Sequence, residues 1–316
     1  MKTDNVFLIT GGAGFIGSHL CSYLLRKGHK VICLDNFVSG TMDNIKPLLS
    51  NNNFQLIKQS VIEPISCHAD IIINLASIAS PKFYQKYPID TFKTNVYGAI
   101  NLLELANKSN AIILQASTSE VYGDPQPLIQ NEKYWGNVNP IGIRSCYDEG
   151  KRAAESIFMD FHRIYHTKIK IARIFNCYGP KLRSDDGRIV STFILQALKN
   201  KNLTVYGDGT QTRCLCYIDD MLEGIYKLIQ SNDSIIGPIN LGNPQEQSVI
   251  QIAKLIIELT NSKSNIEYYP LPADDPKHRC PDISLAQQLL NWNPTTDIIE
   301  GIKKTIAYYQ NTELPS

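Results

Sequence analysis

Short apolar runs rich in β-branched residues alternate with longer helical patterns through the first half of the chain. The runs are nearly continuous rather than alternating, which is typical of strands buried on both faces of a parallel sheet. They are Val6–Thr10, Val31–Leu34, Phe54–Ile57, Ile71–Leu75, Ala111–Ala116 and Ile169–Phe175, with helical patterns between them at Gly14–Lys27, Pro88–Lys108 and Tyr147–His166. This repetition predicts a Rossmann-like, doubly wound α/β sheet.

The regular alternation of strand and helix patterns ends after Phe175, where the chain becomes dense in Gly, Asp and Arg. The later patterns predict a strand at Ile239–Leu241 and helices at Ile189–Lys199, Ser248–Thr260 and Pro294–Tyr309. We therefore predict a main domain over residues 1–175, to which residues 202–260 partly return. Residues 176–201 and 261–316 are predicted to form a smaller, discontinuous C-terminal substrate lobe.

Composition excludes several classes of protein. Of the 316 residues 43% are hydrophobic and 19% are charged, close to the average of soluble globular proteins. The formal net charge of +1 argues against a nucleic-acid partner. No apolar run approaches the roughly 18 residues of a membrane span, and Val6–Ile9 is too short for the apolar core of a signal segment. We expect a soluble, cytoplasmic protein with no membrane partner.

The eight cysteines do not predict a metal site. The only closely spaced pair, Cys214 and Cys216, lacks the second ligand cluster that a zinc site needs. His162 and His166 are one helical turn apart, but the glutamate of an H-E-x-x-H motif is missing. We predict reduced, structural thiols in a reducing compartment.

A glycine-rich turn follows the first apolar run and opens the first helix. Its glycines satisfy both G-x-G-x-x-G and G-x-x-G-x-x-G, at positions 11, 12, 14 and 17. Such glycines let the backbone approach a pyrophosphate, which the helix N-terminus then receives. Asp35 ends the second run, where a carboxylate binds ribose hydroxyls. Because the six residues after it include no Lys or Arg for a 2′-phosphate, the predicted cofactor is NAD.

Tyr147 and Lys151 form a Y-x-x-x-K pair one helical turn apart. A free tyrosine has a pKa near 10, so it needs help to act as a base at neutral pH. A nearby ammonium and the positive charge of an oxidised nicotinamide favour the phenolate. Tyr147 is thus the predicted base that takes a proton from a substrate hydroxyl.

The segment Ser117–Gly123 follows the fifth run, at the sheet edge where an open α/β fold binds ligands. Thr118 can hydrogen-bond the reacting hydroxyl, whereas Ser119 and Glu120 can shuttle protons or orient water. Taken alone, this segment is equally consistent with an ordinary turn. The Y-x-x-x-K pair, taken alone, is also consistent with an ordinary helix. Their combination with the glycine turn favours a catalytic site.

These motifs resemble the extended short-chain dehydrogenase/reductase superfamily, whose members modify nucleotide sugars. Nearly the whole chain is similar to its UDP-glucuronic acid decarboxylase (UDP-xylose synthase) family. The similar strings are Ser117–Asp124, Tyr134–Lys151, Ala172–Asn176, Tyr178–Pro180, Asp186–Leu198, Leu203–Arg213, Ile239–Pro244 and Asp274–Ile283. Related dehydratases carry Thr-Asp-Glu where this chain has Thr-Ser-Glu, and C4-epimerases usually lack the acidic residue. Ile143 and Cys280 depart from the family pattern, where proline and a basic residue are expected, and leave substrate choice open.

The resemblance implies that NAD-dependent decarboxylation converts UDP-glucuronate to UDP-xylose through a 4-keto intermediate and regenerates NAD. It implies cofactor contacts from Gly11, Gly14, Phe15, Ile16, Gly17, Asp35, Asn36, Phe37, Ser39, Gly40, Leu75, Ser77, Thr94, Tyr147 and Lys151. It implies substrate contacts from Lys93, Asn176, Arg188, Tyr206, Gln211, Arg213 and Arg279. Arginines suit such a substrate because they bind phosphates and carboxylates with two hydrogen bonds.

The resemblance also implies a homodimer formed through helices Pro88–Lys108 and Tyr147–His166. Their outer faces are expected to carry Phe158, Phe161 and Tyr165, and Lys93 could belong to that face instead of the substrate site. Two alternative functions are a nucleotide-sugar 4,6-dehydratase and a 4-epimerase, which share the first oxidation. A non-enzymatic NAD-binding scaffold is disfavoured, because it would not require the catalytic residues.

Overall fold

A central parallel β-sheet organises the protein. The computed structural model describes residues 4–270 and 279–312. The strands of these residues are β1 (Val6–Thr10), β2 (Lys30–Asp35), β3 (Phe54–Lys58), β4 (Ile71–Asn74), β5 (Ile112–Thr118), β6 (Ile129–Gln130), β7 (Ile169–Ile174), β8 (Cys177–Tyr178), β9 (Leu203–Tyr206), β10 (Thr212–Cys214), β11 (Cys216–Tyr217), β12 (Ile239–Leu241), β13 (Glu246–Ser248), β14 (Ile266–Tyr269) and β15 (Cys280–Pro281). Seven of them form the sheet in the order β12-β7-β5-β4-β1-β2-β3, with every pairing parallel. The predicted doubly wound α/β fold is confirmed.

Helices cover both faces of this sheet. They are α1 (Phe15–Arg26), α2 (Met42–Ile45), α3 (Pro81–Tyr84), α4 (Pro88–Ser109), α5 (Ser145–Tyr165), α6 (Ile189–Leu198), α7 (Ile218–Gln230), α8 (Val249–Thr260), α9 (Ser284–Leu290) and α10 (Ile298–Gln310). Side chains of a strand point alternately to its two faces. Phe7 and Ile9 accordingly join the core beneath α1 and α7, whereas Leu8 joins the core beneath α4 and α5.

The outer face of α5 differs from the expectation. Phe158 is fully buried against the sheet, because its position on the helix turns the ring into the core of α4 and α5. Phe161 is half-buried and Tyr165 is exposed. Of the three aromatic residues expected on this face, Phe158 is therefore a core residue.

The elements after β7 divide between the main sheet and a smaller group. β12 pairs with β7, and α7 packs against α1. In contrast, β9 pairs with β14, and α6 packs against α8 and α10. Four of the helices in the described residues were not predicted, α7 and the short α2, α3 and α9. The last helix begins at Ile298 rather than Pro294, because Asp297 caps it by accepting hydrogen bonds from the amides of Ile299 and Glu300.

Some predicted segments lie partly outside the described residues. These are residues 274–278 of the family-like string Asp274–Ile283 and residues 271–278 and 313–316 of the predicted lobe. Within residues 4–270 and 279–312, none of the helices combines the length and apolarity that a membrane crossing requires.

One buried carboxylate joins the C-terminal part of the chain to α7. Asp220 accepts hydrogen bonds from the amides of Thr295 and Thr296, at 3.1 and 3.0 Å. Its backbone carbonyl also accepts a 3.0 Å hydrogen bond from the indole of Trp292, which is buried. These contacts fix the segment that leads into α10.

We expect Asp220→Ala to lower the free energy of unfolding by about 3 kcal/mol, because the amides of Thr295 and Thr296 would lose a buried, charged acceptor. Urea unfolding followed by circular dichroism measures the change. Asp219→Ala is the matched control, since Asp219 is the exposed neighbour on the same helix; it should cost less than about 1 kcal/mol. Equal losses for the two variants would contradict a structural role of the Asp220 contacts.

Candidate active site

A cavity of about 660 Å³ opens at the carboxyl ends of the central strands. This volume falls within the range of small-molecule sites. The predicted residues that line it are Gly11, Gly14, Phe15, Ile16, Gly17, Asp35, Asn36, Ser39, Leu75, Ser77, Thr94, Thr118, Ser119, Glu120, Tyr147, Lys151, Asn176, Arg188, Tyr206, Gln211, Arg213 and Arg279. One cavity therefore contains both the glycine turn and the residues expected to contact substrate.

Three predicted contact residues do not line this cavity. Gly40 packs behind Asp35, where an added Cβ would lie 2.9 Å from the carboxylate oxygens. Phe37 directs its amide to Asp35, at 2.8 Å, and its ring toward Lys58. Lys93 is exposed on α4, outside the cavity, which agrees with its alternative place on an outer helix face.

The glycine turn is closely packed against the start of α1. An added Cβ on Gly17 would lie 2.2 Å from the carbonyl oxygen of Gly11, and Gly11 has a φ of +68°. Only glycine fits both positions without displacing the backbone. The turn therefore brings its peptide groups to the cavity wall, where a pyrophosphate can approach the N-terminus of α1.

Asp35 ends β2 beside this turn. Its two carboxylate oxygens accept hydrogen bonds from the amides of Ala13 and Phe37, at 2.9 and 2.8 Å. Burial raises the pKa of Asp35, and the backbone hydrogen bonds act in the opposite direction. Since a carboxylate has about four acceptor sites, it retains capacity for two ribose hydroxyls. These residues fit the adenosine end of a dinucleotide.

The catalytic candidates meet where β5 ends above α5. Thr118 and Tyr147 both line the cavity, and interaction with the Thr118 side chain acts to lower the pKa of Tyr147. Lys151 donates a 2.8 Å hydrogen bond to the carbonyl oxygen of Ala116, and its ammonium lies 5.9 Å from the centre of the Tyr147 ring. The Y-x-x-x-K pair and Thr118, at the end of β5, thus line the same cavity.

Burial shifts the pKa values of Tyr147 and Lys151 in opposite directions. It raises the pKa of Tyr147 to about 12, although interaction with the Thr118 side chain lowers it in part. It lowers the pKa of Lys151 to about 8, and the charge of Glu155 opposes that change. The sequence suggests that the ammonium favours the phenolate, but burial dominates here and keeps Tyr147 protonated at neutral pH.

Glu120 is held between two guanidinium groups. Arg279 reaches it with two contacts, at 2.5 Å to Oε1 and 2.8 Å to Oε2. Arg144 donates to Oε2 from the other side and lies 3.6 Å from Asp148. A partly buried carboxylate with two arginine partners is compensated and keeps a net positive charge beside it.

Asp148 adds a second carboxylate to this cluster. Burial raises the pKa of Asp148 to about 7, and the negative charge of Glu120 adds to the effect while Arg144 and Arg279 oppose it. Its Oδ1 is buried without a hydrogen-bond partner among the described residues. The site therefore holds a group that changes charge near neutral pH.

The far end of the cavity is polar and basic. Arg188 precedes α6 and forms a 2.9 Å ion pair with Asp186. Gln211 donates to the carbonyl oxygen of Tyr206 at 2.6 Å, and Arg213 donates to that of Thr212 at 2.8 Å. Asn176 follows β7 at the same wall. Such groups can bind a diphosphate and a ring hydroxyl.

Sequence reasoning missed three residues of this site. They are Arg144, which contacts Glu120; Asp148, which faces the same cluster; and Tyr84, whose ring stacks on that of Tyr147 with centroids 5.4 Å apart. The i, i+4 spacing of Arg144 and Asp148 around Tyr147 was a usable signal. Tyr84 had none, because its contact depends on how α3 packs against α5.

Comparisons with known proteins agree with this geometry. The NAD dependent epimerase/dehydratase family matches residues 7–242. UDP-glucuronic acid decarboxylase 1 of Arabidopsis thaliana is 48% identical over 304 residues, which are 96% of this chain and 69% of that protein. UDP-glucuronic acid decarboxylase 1 of Danio rerio is 49% identical over 98% of this chain and 73% of its own length.

Solved structures are similar over nearly the whole chain. The UDP-glucuronic acid 4-epimerase of Bacillus cereus, solved with UDP-glucuronic acid and NAD, has a TM-score of 0.85 at 30% identity and covers 96% of this chain and 99% of its own. The UDP-glucose 4-epimerase of Thermotoga maritima has a TM-score of 0.88 at 28% identity, with coverages of 96% and 98%. The chain therefore belongs to the NAD dependent epimerase/dehydratase family and, within it, to the UDP-glucuronic acid decarboxylases.

Proposed function

We propose that this protein converts UDP-glucuronate to UDP-xylose and carbon dioxide. One observation carries the proposal: the Arg279–Glu120 pair lies in the same cavity as Thr118, Tyr147 and Lys151. The guanidinium of Arg279, suited to the substrate carboxylate, thus lies in the same cavity as Tyr147, suited as a base for the neighbouring sugar hydroxyl. The decarboxylases that are nearly half identical to this chain support the same substrate.

The glycine turn and Asp35 are proposed to hold NAD, with Leu75, Ser77 and Thr94 along the same wall. The bound cofactor supplies one chemistry, the removal of a hydride from C4 of the sugar and its later return. Lys151 and Tyr147 line the same cavity and would contact the nicotinamide of the cofactor. The closely packed glycines are the observation that supports this placement.

Tyr147 is the proposed base for the C4 hydroxyl. Because burial, together with the charges of Glu120 and Asp148, raises its pKa, the positive charges of Lys151 and of the oxidised nicotinamide are needed to favour the phenolate. Thr118, which lines the same cavity, orients the reacting hydroxyl. The residues thus take one proton from oxygen as the C4 carbon is oxidised to a ketone.

The ketone then allows carbon dioxide to leave. The C5–carboxylate bond breaks, its electron pair moves toward the C4 carbonyl, and an enolate forms that Tyr147 and Thr118 stabilise by hydrogen bonds. Glu120 and Ser119 are proposed to deliver a proton to C5, directly or through water. The returned hydride and the proton from Tyr147 restore the C4 alcohol, so the cycle consumes one proton and has no net redox change.

The basic groups of the cavity are proposed to bind the charged ends of the substrate. Arg188, Arg213, Asn176, Tyr206 and Gln211 surround the end suited to the UDP diphosphate and base. Arg279 is proposed to contact the carboxylate by sharing its guanidinium between Glu120 and the substrate. Arg144 would continue to neutralise Glu120 during that exchange.

We also propose a homodimer in the cytoplasm. The outer faces of α4 and α5 expose large apolar side chains at Ile89, Phe92, Tyr97, Ile164 and Tyr165. Exposed apolar surface of this kind favours contact with a second copy. All eight cysteines are free thiols, in keeping with a reducing compartment. Residues 1–175, joined in part by 202–260, are proposed as the NAD-binding domain, with 176–201 and 261–316 as the substrate lobe.

Incubation of the protein with NAD and UDP-glucuronate should release carbon dioxide and form UDP-xylose in equal amounts, measured by trapped radiolabelled carbon dioxide and chromatography. The Bacillus cereus 4-epimerase that binds UDP-glucuronic acid provides the second candidate function. Conversion to UDP-galacturonate without carbon dioxide would favour that epimerase activity, and no conversion at all would contradict both.

Tyr147→Phe should lower kcat by about 10²–10⁴-fold, because it removes the proposed acid–base group. NAD affinity, followed by fluorescence titration, should stay nearly unchanged. Tyr165→Phe is the matched control, since it makes the same change at an exposed position of the same helix. Full turnover by Tyr147→Phe would eliminate this residue as the base.

Arg279→Ala should lower kcat/KM for UDP-glucuronate by about 10–100-fold, the loss expected for one charged hydrogen-bonding partner. The affinity for UDP, which has no sugar carboxylate, should change little in isothermal titration. Arg188→Ala provides the contrast, because it should weaken UDP and UDP-glucuronate alike. Equal losses for both ligands in Arg279→Ala would place its guanidinium at the diphosphate instead.

A further inference from the structure

Two cysteines lie directly behind the arginines of the cavity. Cys214 follows Arg213 on β10, and Cys280 follows Arg279 at the start of β15. Both arginines line the cavity. Because successive side chains of a strand point to opposite faces, the two thiols face away from the cavity and toward each other. They are buried, and their sulfur atoms lie within 4.8 Å of each other.

A glutamate completes this cluster. β10 and β13 pair antiparallel, and their register places Glu246 directly opposite Cys214. The sulfur atoms of Cys214 and Cys280 and a carboxylate oxygen of Glu246 all lie within 4.8 Å of one another. Glu246 is exposed, so the cluster is open to solvent on one side. Three elements from separate parts of the chain thus bring two thiols and a carboxylate to one point.

The surrounding contacts hold the three groups in place. The amide of Cys280 donates a 2.8 Å hydrogen bond to the buried side chain of Gln130. Its sulfur lies 3.5 Å from the carbonyl oxygen of Pro244. Glu246 accepts a 2.9 Å hydrogen bond from Thr212. Little rearrangement is therefore needed to direct the three ligand atoms toward a common centre.

This donor set matches the preferences of zinc. Zinc binds thiolates at about 2.3 Å and carboxylate oxygens at about 2.0–2.2 Å in a tetrahedron, which requires sulfur atoms roughly 3.8 Å apart. The cluster can reach that spacing by closing about 1 Å or less, a shift available to side-chain rotation. Water or the Pro244 carbonyl can occupy the fourth position. Two soft sulfur ligands favour zinc over magnesium or calcium.

The sequence did not reveal this arrangement because it suggested the wrong pair. Cys216, which is two residues from Cys214, directs its thiol to the carbonyl oxygen of Tyr217. The actual neighbour of Cys214 is Cys280, which stands where the family pattern leads us to expect a basic residue. Parallel pairing of β15 with β6 brings it there.

We propose that Cys214, Cys280 and Glu246 bind one zinc ion behind the substrate arginines. Two thiol protons are released to solvent as two zinc–sulfur bonds form, and nothing is oxidised or reduced. The ion would join β10, β13 and β15 and so fix the backbone that carries Arg213 and Arg279. The proposal is independent of which reaction the cavity catalyses.

The test is titration of the reduced, metal-free full-length protein with Co²⁺ under an inert atmosphere. We expect one Co²⁺ per chain, with thiolate-to-cobalt charge-transfer absorption and the intense visible bands of tetrahedral cobalt, and displacement of Co²⁺ by Zn²⁺. Zn²⁺ should also raise the Tm of the protein.

Variants separate this site from other thiols. Cys214→Ser and Cys280→Ser should each weaken Co²⁺ binding more than about 100-fold, beyond the loss typical of an outer partner. Glu246→Gln should weaken it about tenfold and keep the thiolate bands. Cys67→Ser, which changes a half-buried thiol in the other core, is the matched control and should bind like the parent. Circular dichroism and NAD affinity verify that each variant is folded.

Three results would overturn the proposal. The first is absence of charge-transfer bands in the reduced parent protein. The second is unchanged Co²⁺ binding by folded Cys280→Ser. The third is mass spectrometry that finds Cys214 and Cys280 joined as a disulfide before reduction, together with no Co²⁺ binding after it, which would make the pair a redox bond rather than a metal site.

Discussion

The carboxylate of Glu120, whose side chain is only 12% exposed, constrains the whole site. A charged group away from water must be paired, or it would lose its charge or destabilise the fold. Arg144 comes from the turn before α5, 24 residues after Glu120, and Arg279 comes from a segment 159 residues after Glu120. Their convergence ties the main sheet to the C-terminal segment at the point where chemistry is proposed. Both guanidinium groups and the carboxylate line the cavity.

The same cluster explains why the site is positive inside a nearly neutral protein. Two arginines exceed the single charge of Glu120, and Asp148 has a pKa of about 7, so it only partly offsets them at neutral pH. Arg188 is paired with Asp186 at the other end of the cavity. An anionic substrate therefore meets local positive charge although the net charge of the chain is only +1.

Much of the fold was predictable, because its signals are local and repeated. The buried strands appear as continuous apolar runs, and β1, β3 and β5 agree with their predicted bounds to within one or two residues. The glycine turn and the Tyr147–Lys151 pair could also be recognised. Close approach of the backbone requires glycines, and one helical turn gives an i, i+4 spacing, and both are visible in a short stretch of sequence. NAD as the cofactor agrees with the family to which the chain belongs.

Contacts that join distant segments were not predictable in the same way. The stacking of Tyr84 on Tyr147, the burial of Phe158 and the meeting of Cys214 with Cys280 each depend on how elements pack. Lys93 was assigned to the substrate by resemblance, yet its helix turns it to solvent. The raised pKa of Tyr147 also depends on burial, which a short sequence motif does not indicate.

The long separation between Glu120 and Arg279 also bears on how the protein acquires its site. Closing a long loop costs conformational entropy before any stabilising contact has formed. Contacts between residues distant in sequence therefore form slowly. The glycine turn, Asp35 and the Thr118–Tyr147 pair all lie within the first half of the chain, whereas Arg279 arrives from near its end. During synthesis the first half of the chain can therefore assemble first, and the contact proposed between Arg279 and a sugar carboxylate becomes available only when the last segment docks.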